Sequence, residues 1–65
     1  MTLQELVMEE VPELRQELIT HLPLCDIFTI VYGGVLIGYY NPTHNELRLN
    51  RTEINNILGG HSTTN

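Results

Sequence analysis

The stretch that most limits how this chain can fold is residues 27–40, Ile-Phe-Thr-Ile-Val-Tyr-Gly-Gly-Val-Leu-Ile-Gly-Tyr-Tyr. Two runs rich in β-branched and aromatic residues flank Gly33-Gly34, and this pattern predicts a tight β-hairpin because primed turns require positive φ. Both faces of the predicted hairpin are apolar, whereas hairpins in small domains usually leave one polar face to water. One face is therefore expected to contact something other than the chain's own core.

The two-residue turn predicts which hairpin residues share a face, because register follows by counting outward from Gly33-Gly34. The first face then carries Phe28, Ile30, Tyr32, Val35, Ile37 and Tyr39. The second face pairs Ile27 with Tyr40, Thr29 with Gly38, and Val31 with Leu36. We predict that the first face is core.

The second hairpin face is the candidate interface. Its predicted members are Ile27, Val31, Leu36, Gly38 and Tyr40. An apolar strip of this kind favours a homodimer interface or a partner-binding surface, and a glycine within it allows another backbone or ring to approach closely. The alternative is that two helices cover opposite faces of the sheet, so that both faces are core.

A capping box predicts the start of an N-terminal helix, because Thr2 is followed three residues later by Glu5. Apolar residues then recur at spacings of three and four as far as Leu22, a stripe about 100° wide that is typical of a core-facing helix. Pro12 interrupts this stripe because proline has no N–H to donate. The helix is expected either to kink there or to end near Glu10 before a second helix, and the helical region is expected to end at Leu22.

The remaining elements follow the hairpin. Residues 41–45 have the composition of a loop, and Glu46-Leu47-Arg48-Leu49 alternates as a short strand whose leucines extend the first face. A final helix is predicted to begin at Asn50 and to end at Gly59-Gly60. Its expected buried residues are Ile54, Ile57 and Leu58. Residues 61–65 are expected to form a disordered tail.

The predicted fold is a single α+β domain over residues 1–60, with a three-stranded antiparallel meander between an N-terminal helix and a short C-terminal helix. A chain of 65 residues buries only about 60% of the surface that its unfolded form exposes, so it needs additional stabilisation. Cys25 is the only cysteine, which excludes an internal disulfide and a cysteine-based zinc site. Oligomerisation is therefore the expected source of extra stability.

The charge pattern favours a basic protein partner. Eight acids face three arginines and no lysine, for a net charge of −5, so direct nucleic-acid binding, which depends on Lys and Arg, is not expected. The predicted acidic surface consists of Glu5, Glu9, Glu10, Glu13 and Glu17. Glutamates four residues apart on one helix repel each other by about 0.2–0.5 kcal/mol per pair. The alternative is an ordinary solvated helix face.

No pattern in the chain indicates catalysis. His21, His44 and His61 are scattered, and their spacing to Cys25 is not that of a metal site, so we expect no enzyme activity, no metal and no cofactor. A small regulatory enzyme or metal-binding module is the remaining alternative in that class. Glutamates interrupt any N-terminal signal sequence, and the apolar runs fall short of the roughly 20 residues that span a membrane. A cytoplasmic location without membrane association is expected.

Residues 14–42 carry a family resemblance. Leu-Arg-Gln-Glu-Leu-Ile-Thr-His-Leu, followed by Phe-Thr-Ile-Val-Tyr-Gly-Gly-Val-Leu-Ile-Gly-Tyr-Tyr-Asn-Pro, resembles the Phd/YefM-type antitoxins, with their Leu-Arg-x-x-Leu helix, strand, glycine turn and second strand closing on proline. The resemblance implies a dimeric small protein whose C-terminal part binds and neutralises a toxin. The family's N-terminal strand and its DNA-contacting basic residues have no counterpart here, so the resemblance does not extend to operator binding.

Together these features predict a non-catalytic interaction protein, homodimeric through the second hairpin face. Its most concrete form is an antitoxin-like neutraliser of a basic protein, which the glutamates of the first helix or the last helix would engage. The alternative is a phage-type inhibitor that mimics nucleic-acid charge through its acidic N-terminal helix.

Overall fold

A four-stranded antiparallel sheet with one helix at each end of the chain forms the architecture of the computed structural model, which describes residues 2–59. The elements are α1 (Leu3–Glu10), a 3₁₀ turn (Gln16–Leu18), β1 (Ile19–Leu24), β2 (Ile27–Tyr32), β3 (Val35–Asn41), β4 (Glu46–Leu49) and α2 (Arg51–Gly59). The strands pair in chain order as a meander. The α+β class is confirmed, but the sheet has four strands rather than three. The predicted tail, residues 61–65, lies outside the described residues.

Helix α1 begins with the predicted capping box. The Thr2 hydroxyl accepts from the backbone N–H of Glu5 at 3.2 Å, and the Glu5 carboxylate accepts from the backbone N–H of Thr2 at 2.8 Å. The helix ends at Glu10, and Val11 takes φ −137° and ψ 80°, outside the α region that a residue before proline avoids. The ending near Glu10 is therefore confirmed, but the second helix expected from Pro12 does not form, since turns follow as far as the 3₁₀ turn.

The prediction of helix as far as Leu22 is wrong, because residues 19–24 form the edge strand β1. Ile19 is buried, and the other five residues of this strand are exposed, with Leu22 at 60%. Cys25 and Asp26 make the turn into β2, and Cys25 takes a φ of 55°. Pro23 is tolerated in β1 because an edge strand has one side without ladder hydrogen bonds.

A β-bulge in β3 changes the predicted register of the hairpin. The turn has positive φ at Gly33 and Gly34, and Tyr32 pairs with Val35 as predicted. The register then shifts between Val31 and Ile30, so that Ile30 pairs with Gly38 and Ile37 is the extra residue.

The bulge exchanges the faces of two tyrosines. Tyr39 pairs with Thr29, and Tyr40 pairs with Phe28. Tyr40 therefore packs against the core, while Tyr39 lies on the opposite face and is 38% exposed. The predictions of Tyr39 as a core residue and of Tyr40 as an interface residue are wrong, because both assumed a hairpin without a bulge.

The packing of β3 against β4 requires glycine at position 38. A Cβ there would lie 2.9 Å from the Leu49 Cδ2 and 3.0 Å from the Leu49 Cα, and it would collide with the carbonyl oxygen of Arg48. The backbone that approaches Gly38 thus belongs to the chain's own β4. Beside it, the bulge carbonyl of Ile37 accepts from the N–H of Asn50 at 2.7 Å, and the Ile37 side chain is fully buried.

Both helices pack on the same face of the sheet. One continuous core consists of Val7, Val11, Leu14, Ile19, Ile30, Tyr32, Ile37 and Ile54. Because Val7 of α1 and Ile54 of α2 belong to it together, the alternative in which the helices cover opposite faces is wrong. Ile54 and Ile57 pack inward as predicted, whereas Leu58, predicted to be buried, is 41% exposed.

Replacement of Gly38 by alanine is expected to lower the free energy of unfolding by about 3 kcal/mol, the upper end for overpacking, because the obstructing atoms include backbone. Urea unfolding followed by circular dichroism measures the change. Gly59→Ala is the matched control, since a Cβ at Gly59 meets nothing within 4 Å, and its stability should stay within about 0.5 kcal/mol of the wild type. Equal effects of the two substitutions would contradict the close approach of β4.

Candidate protein interface

The sheet face opposite the helices is the candidate site, and we call it the open face. Strand register places its residues in cross-strand rows, because paired residues in antiparallel strands point to the same side. The rows are Thr20–Val31–Leu36, Leu22–Thr29–Tyr39–Arg48 and Leu24–Ile27, with Glu46 beside Arg48 on β4. None of these residues belongs to the buried core.

The open face exposes large apolar side chains. Leu22 is 60%, Leu24 55% and Leu36 57% exposed, and Ile27 and Val31 are half-buried between them. Soluble monomers rarely expose a contiguous apolar patch larger than a few hundred Å² unless it serves a contact. The open face therefore has the character of a surface that another molecule covers.

The threonine hydroxyls and the charged groups of the open face already have partners within the sheet. The Thr20 hydroxyl donates to the carbonyl of Val31 at 3.4 Å, and the Thr29 hydroxyl donates to the carbonyl of Leu22 at 3.2 Å. Arg48 forms an ion pair with Glu46, and this hydrogen bond together with the attraction between the charges raises the pKa of Arg48. Because an unpaired polar group is what makes burial unfavourable, the open face is suited to contact without water.

A groove of about 420 Å³ lies on the open face and extends from β2 across β3 to β4. Its lining consists of Ile27, Thr29, Leu36, Gly38, Tyr39, Arg48, Leu49 and Asn50. The groove has a largely apolar lining with Thr29, Arg48 and Asn50 as its polar members, which suits an apolar side chain rather than a charged group.

The structure brings together most of the predicted interface and adds residues that sequence reasoning missed. Ile27, Val31 and Leu36 share the open face, Gly38 lines its groove, and Tyr39 stands where Tyr40 was predicted. Leu22 and Leu24 also belong to this face. They were missed because the spacing of leucines every four residues, at positions 14, 18 and 22, indicated a helix.

The predicted acidic surface is not one helical ridge. Glu5, Glu9 and Glu10 lie on α1, but Glu13 lies in the turn after it and Glu17 in the 3₁₀ turn, because the helix ends before Pro12. All five side chains nevertheless stay exposed and within the first 17 residues.

Each of the three arginines is paired with a carboxylate. Arg15 contacts Glu17 at 2.6 Å, Arg51 contacts Glu10 at 3.6 Å, and the third pair is Arg48 with Glu46. The pKa of Glu17 is lowered by its hydrogen bond to its own backbone and by the hydrogen bond and positive charge of Arg15. All three pairs are solvent-exposed, so they contribute little to stability, but they locally neutralise charge.

The charges are segregated in space as well as in sequence. Five of the eight acids precede residue 18, and α1 packs through Val7 on the helix side of the sheet. The open face carries only Glu46 and Arg48, whose charges cancel. The molecule therefore has an acidic helix side and a neutral, apolar open face.

Within residues 2–59, no cluster of three or more His, Cys, Asp or Glu side chains is arranged to hold a metal ion. Neither helix in this range has the length and apolar character needed to cross a bilayer. No match was found when the chain was compared with protein-family models, with curated proteins and with solved structures. The open face is thus the structural feature that bears on function.

The two neighbouring tyrosines provide a test of the bulged register. Tyr40→Ala is expected to lower the free energy of unfolding by about 2 kcal/mol because Tyr40 packs on the core. Tyr39→Ala should cost less than about 1 kcal/mol in dilute protein, where its face is in water. Urea unfolding near 1 µM chain, about where a weak dimer dissociates, measures both. A larger loss for Tyr39→Ala than for Tyr40→Ala would contradict the register.

Proposed function

We propose that this protein is a non-catalytic interaction module that forms a homodimer through its open face and offers its acidic N-terminal segment to a basic protein partner, as an antitoxin-like neutraliser does. The observation that carries the proposal is the open face itself. It is apolar, it is neutral, and its threonine hydroxyls are already hydrogen-bonded within the sheet.

Charge argues that the occupant of the open face is a second copy of this chain. Two copies that each carry a charge of −5 repel one another unless their contact lies away from the acids. Contact through the open face meets this condition, because the acidic helices then lie on the two outer surfaces of the dimer. A basic protein would instead be attracted to the helix side.

The size of the open face agrees with a dimer of moderate affinity. Four strands about 4.8 Å apart, each about five residues long at roughly 3.3 Å per residue, cover on the order of 300 Å² in projection. Side chains make the accessible area larger than this projection, which places the contact at the small end of specific interfaces. We expect a dissociation constant in the micromolar range. Association then adds stability to a chain with a small core.

The acidic segment supports the second part of the proposal. Glu9 and Glu13 have no cationic partner among residues 2–59, and the chain has no lysine to offset them. A basic protein can therefore approach each outer surface of the dimer. The runner-up, a mimic of nucleic-acid charge, needs a continuous column of glutamates on one helix, and the end of α1 at Glu10 interrupts that column. The structure offers the mimic no separate support.

Sedimentation equilibrium tests the dimer. The wild type should form a dimer between about 10 µM and 1 mM chain, and Leu36→Glu should remain a folded monomer, because it places a charge in the centre of an apolar contact. Leu58→Glu is the matched control, since Leu58 is also exposed but lies on α2. A monomeric wild type, or equal weakening by both substitutions, would rule out the open face as the interface.

Salt dependence separates an apolar dimer from one held by charge. Raising the ionic strength from about 0.1 M to about 0.5 M shortens the Debye length by roughly half. The dissociation constant of the open-face dimer should change by less than about threefold, because its core contacts are uncharged. A change of about tenfold or more toward weaker association would show that the ion pairs, rather than the apolar face, hold the chains together.

A further inference from the structure

We infer that the two copies dock about a two-fold axis parallel to their strands, so that Leu22 of each chain enters the groove of the other chain. This inference rests on the proposed dimer and names the contact within it. The apolar projections and the depression lie on the same face of the sheet but on different strands. The projections are on β1, and the depression extends from β2 to β4.

Leu22 and the groove share a cross-strand row. Leu22 pairs with Thr29, Thr29 with Tyr39, and Tyr39 with Arg48, and the last three residues all line the groove. Along this row, Leu22 is about 10 Å from Tyr39, because neighbouring strands are about 4.8 Å apart. The groove extends from Thr29 on β2 to Arg48 on β4, so Leu22 stands beside the edge of its own groove, whereas a symmetry-related leucine can enter the groove from the partner's sheet.

Symmetry decides between the ways in which two open faces can meet. A closed dimer uses the same surface on both chains, so its two-fold axis lies in the plane between the sheets. An axis parallel to the strands places β1 of one copy over β3 and β4 of the other and keeps Leu22 in the row of Tyr39. An axis perpendicular to the strands places β1 over β1 and groove over groove, which leaves an unfilled space. Only the parallel axis therefore places the projecting Leu22 of each chain over the groove of the other.

The chemistry of the groove fits a leucine side chain. Ile27 and Leu36 contribute apolar lining, and the Thr29 hydroxyl already donates to the chain's own Leu22 carbonyl. Leu24 lies in the next row of the same strand and would follow Leu22 onto the partner's surface. Packing of this kind matches the aligned stacking of two sheets about 10 Å apart.

Pro23 argues against the competing edge-to-edge dimer. Leu24 pairs with Ile27 across a two-residue turn, so these residues exchange hydrogen bonds, and alternate residues of β1 point their backbone groups outward. Pro23 occupies one of these outward positions and has no N–H to donate. A strand added along the free edge of β1 would therefore lose a hydrogen bond at Pro23. The face of the sheet remains the surface for association.

Isotope-filtered NOE spectroscopy on a mixture of labelled and unlabelled chains tests this docking directly. We expect intermolecular contacts between the Leu22 methyl groups and the Tyr39 ring. Intermolecular contacts from Leu22 to Leu22 or Leu24 would overturn the inference in favour of the perpendicular axis. A dimer by sedimentation without the expected contacts also overturns it while leaving the proposed function intact, whereas a monomer overturns both.

A substitution pair provides an independent measurement. Leu22→Ala removes the inserted side chain and should raise the dissociation constant of the dimer by about tenfold or more, as expected for the centre of an interface. Leu58→Ala removes an equally large, exposed side chain from the helix side and should change it by less than about twofold. If Leu22→Ala dimerises as the wild type does, Leu22 does not occupy the groove.

Discussion

The close approach of β4 to Gly38 is the constraint on which the rest of this structure depends. Because the carbonyl of Arg48 occupies the space where a side chain would start, only glycine lets β3 and β4 pair here. The bulge beside it places Ile37 in the core and exchanges the faces of Tyr39 and Tyr40. The exchange places Tyr39 on the open face, where it lines the groove. One position thus links the stability of the sheet to its candidate binding surface.

The one-sided packing of the helices explains both the small core and the candidate function. Since α1 and α2 share one face of the sheet, the other face keeps its leucines in contact with water. Most of the acids lie in the segment that packs on the covered side. Self-association through the neutral face and attraction of a basic partner to the acidic side are therefore compatible in one small molecule, because the two surfaces do not compete.

Local chemistry accounts for the features that were predicted correctly. The capping box at Thr2, the positive-φ turn at Gly33-Gly34 and the cap of α2, where the Asn50 side chain accepts from the N–H of Glu53, each depend on residues a few positions apart. The register next to the turn, at Val31 and Leu36, follows for the same reason. Three of the five predicted interface residues accordingly lie on the open face, and Gly38 lines its groove.

The sequence by itself determined the α+β class, the hairpin with two apolar faces and the capping box that begins α1, since these depend on neighbouring residues, but it left open whether α1 kinks or ends at Pro12. Tertiary structure alone decided that residues 19–24 form a strand. Ile19 is buried in the core there, although the leucine spacing around it indicated a helix. It also decided the bulge, which requires β4, and the placement of both helices on one face. These outcomes depend on contacts between distant segments, and burial and backbone packing outweigh local periodicity there.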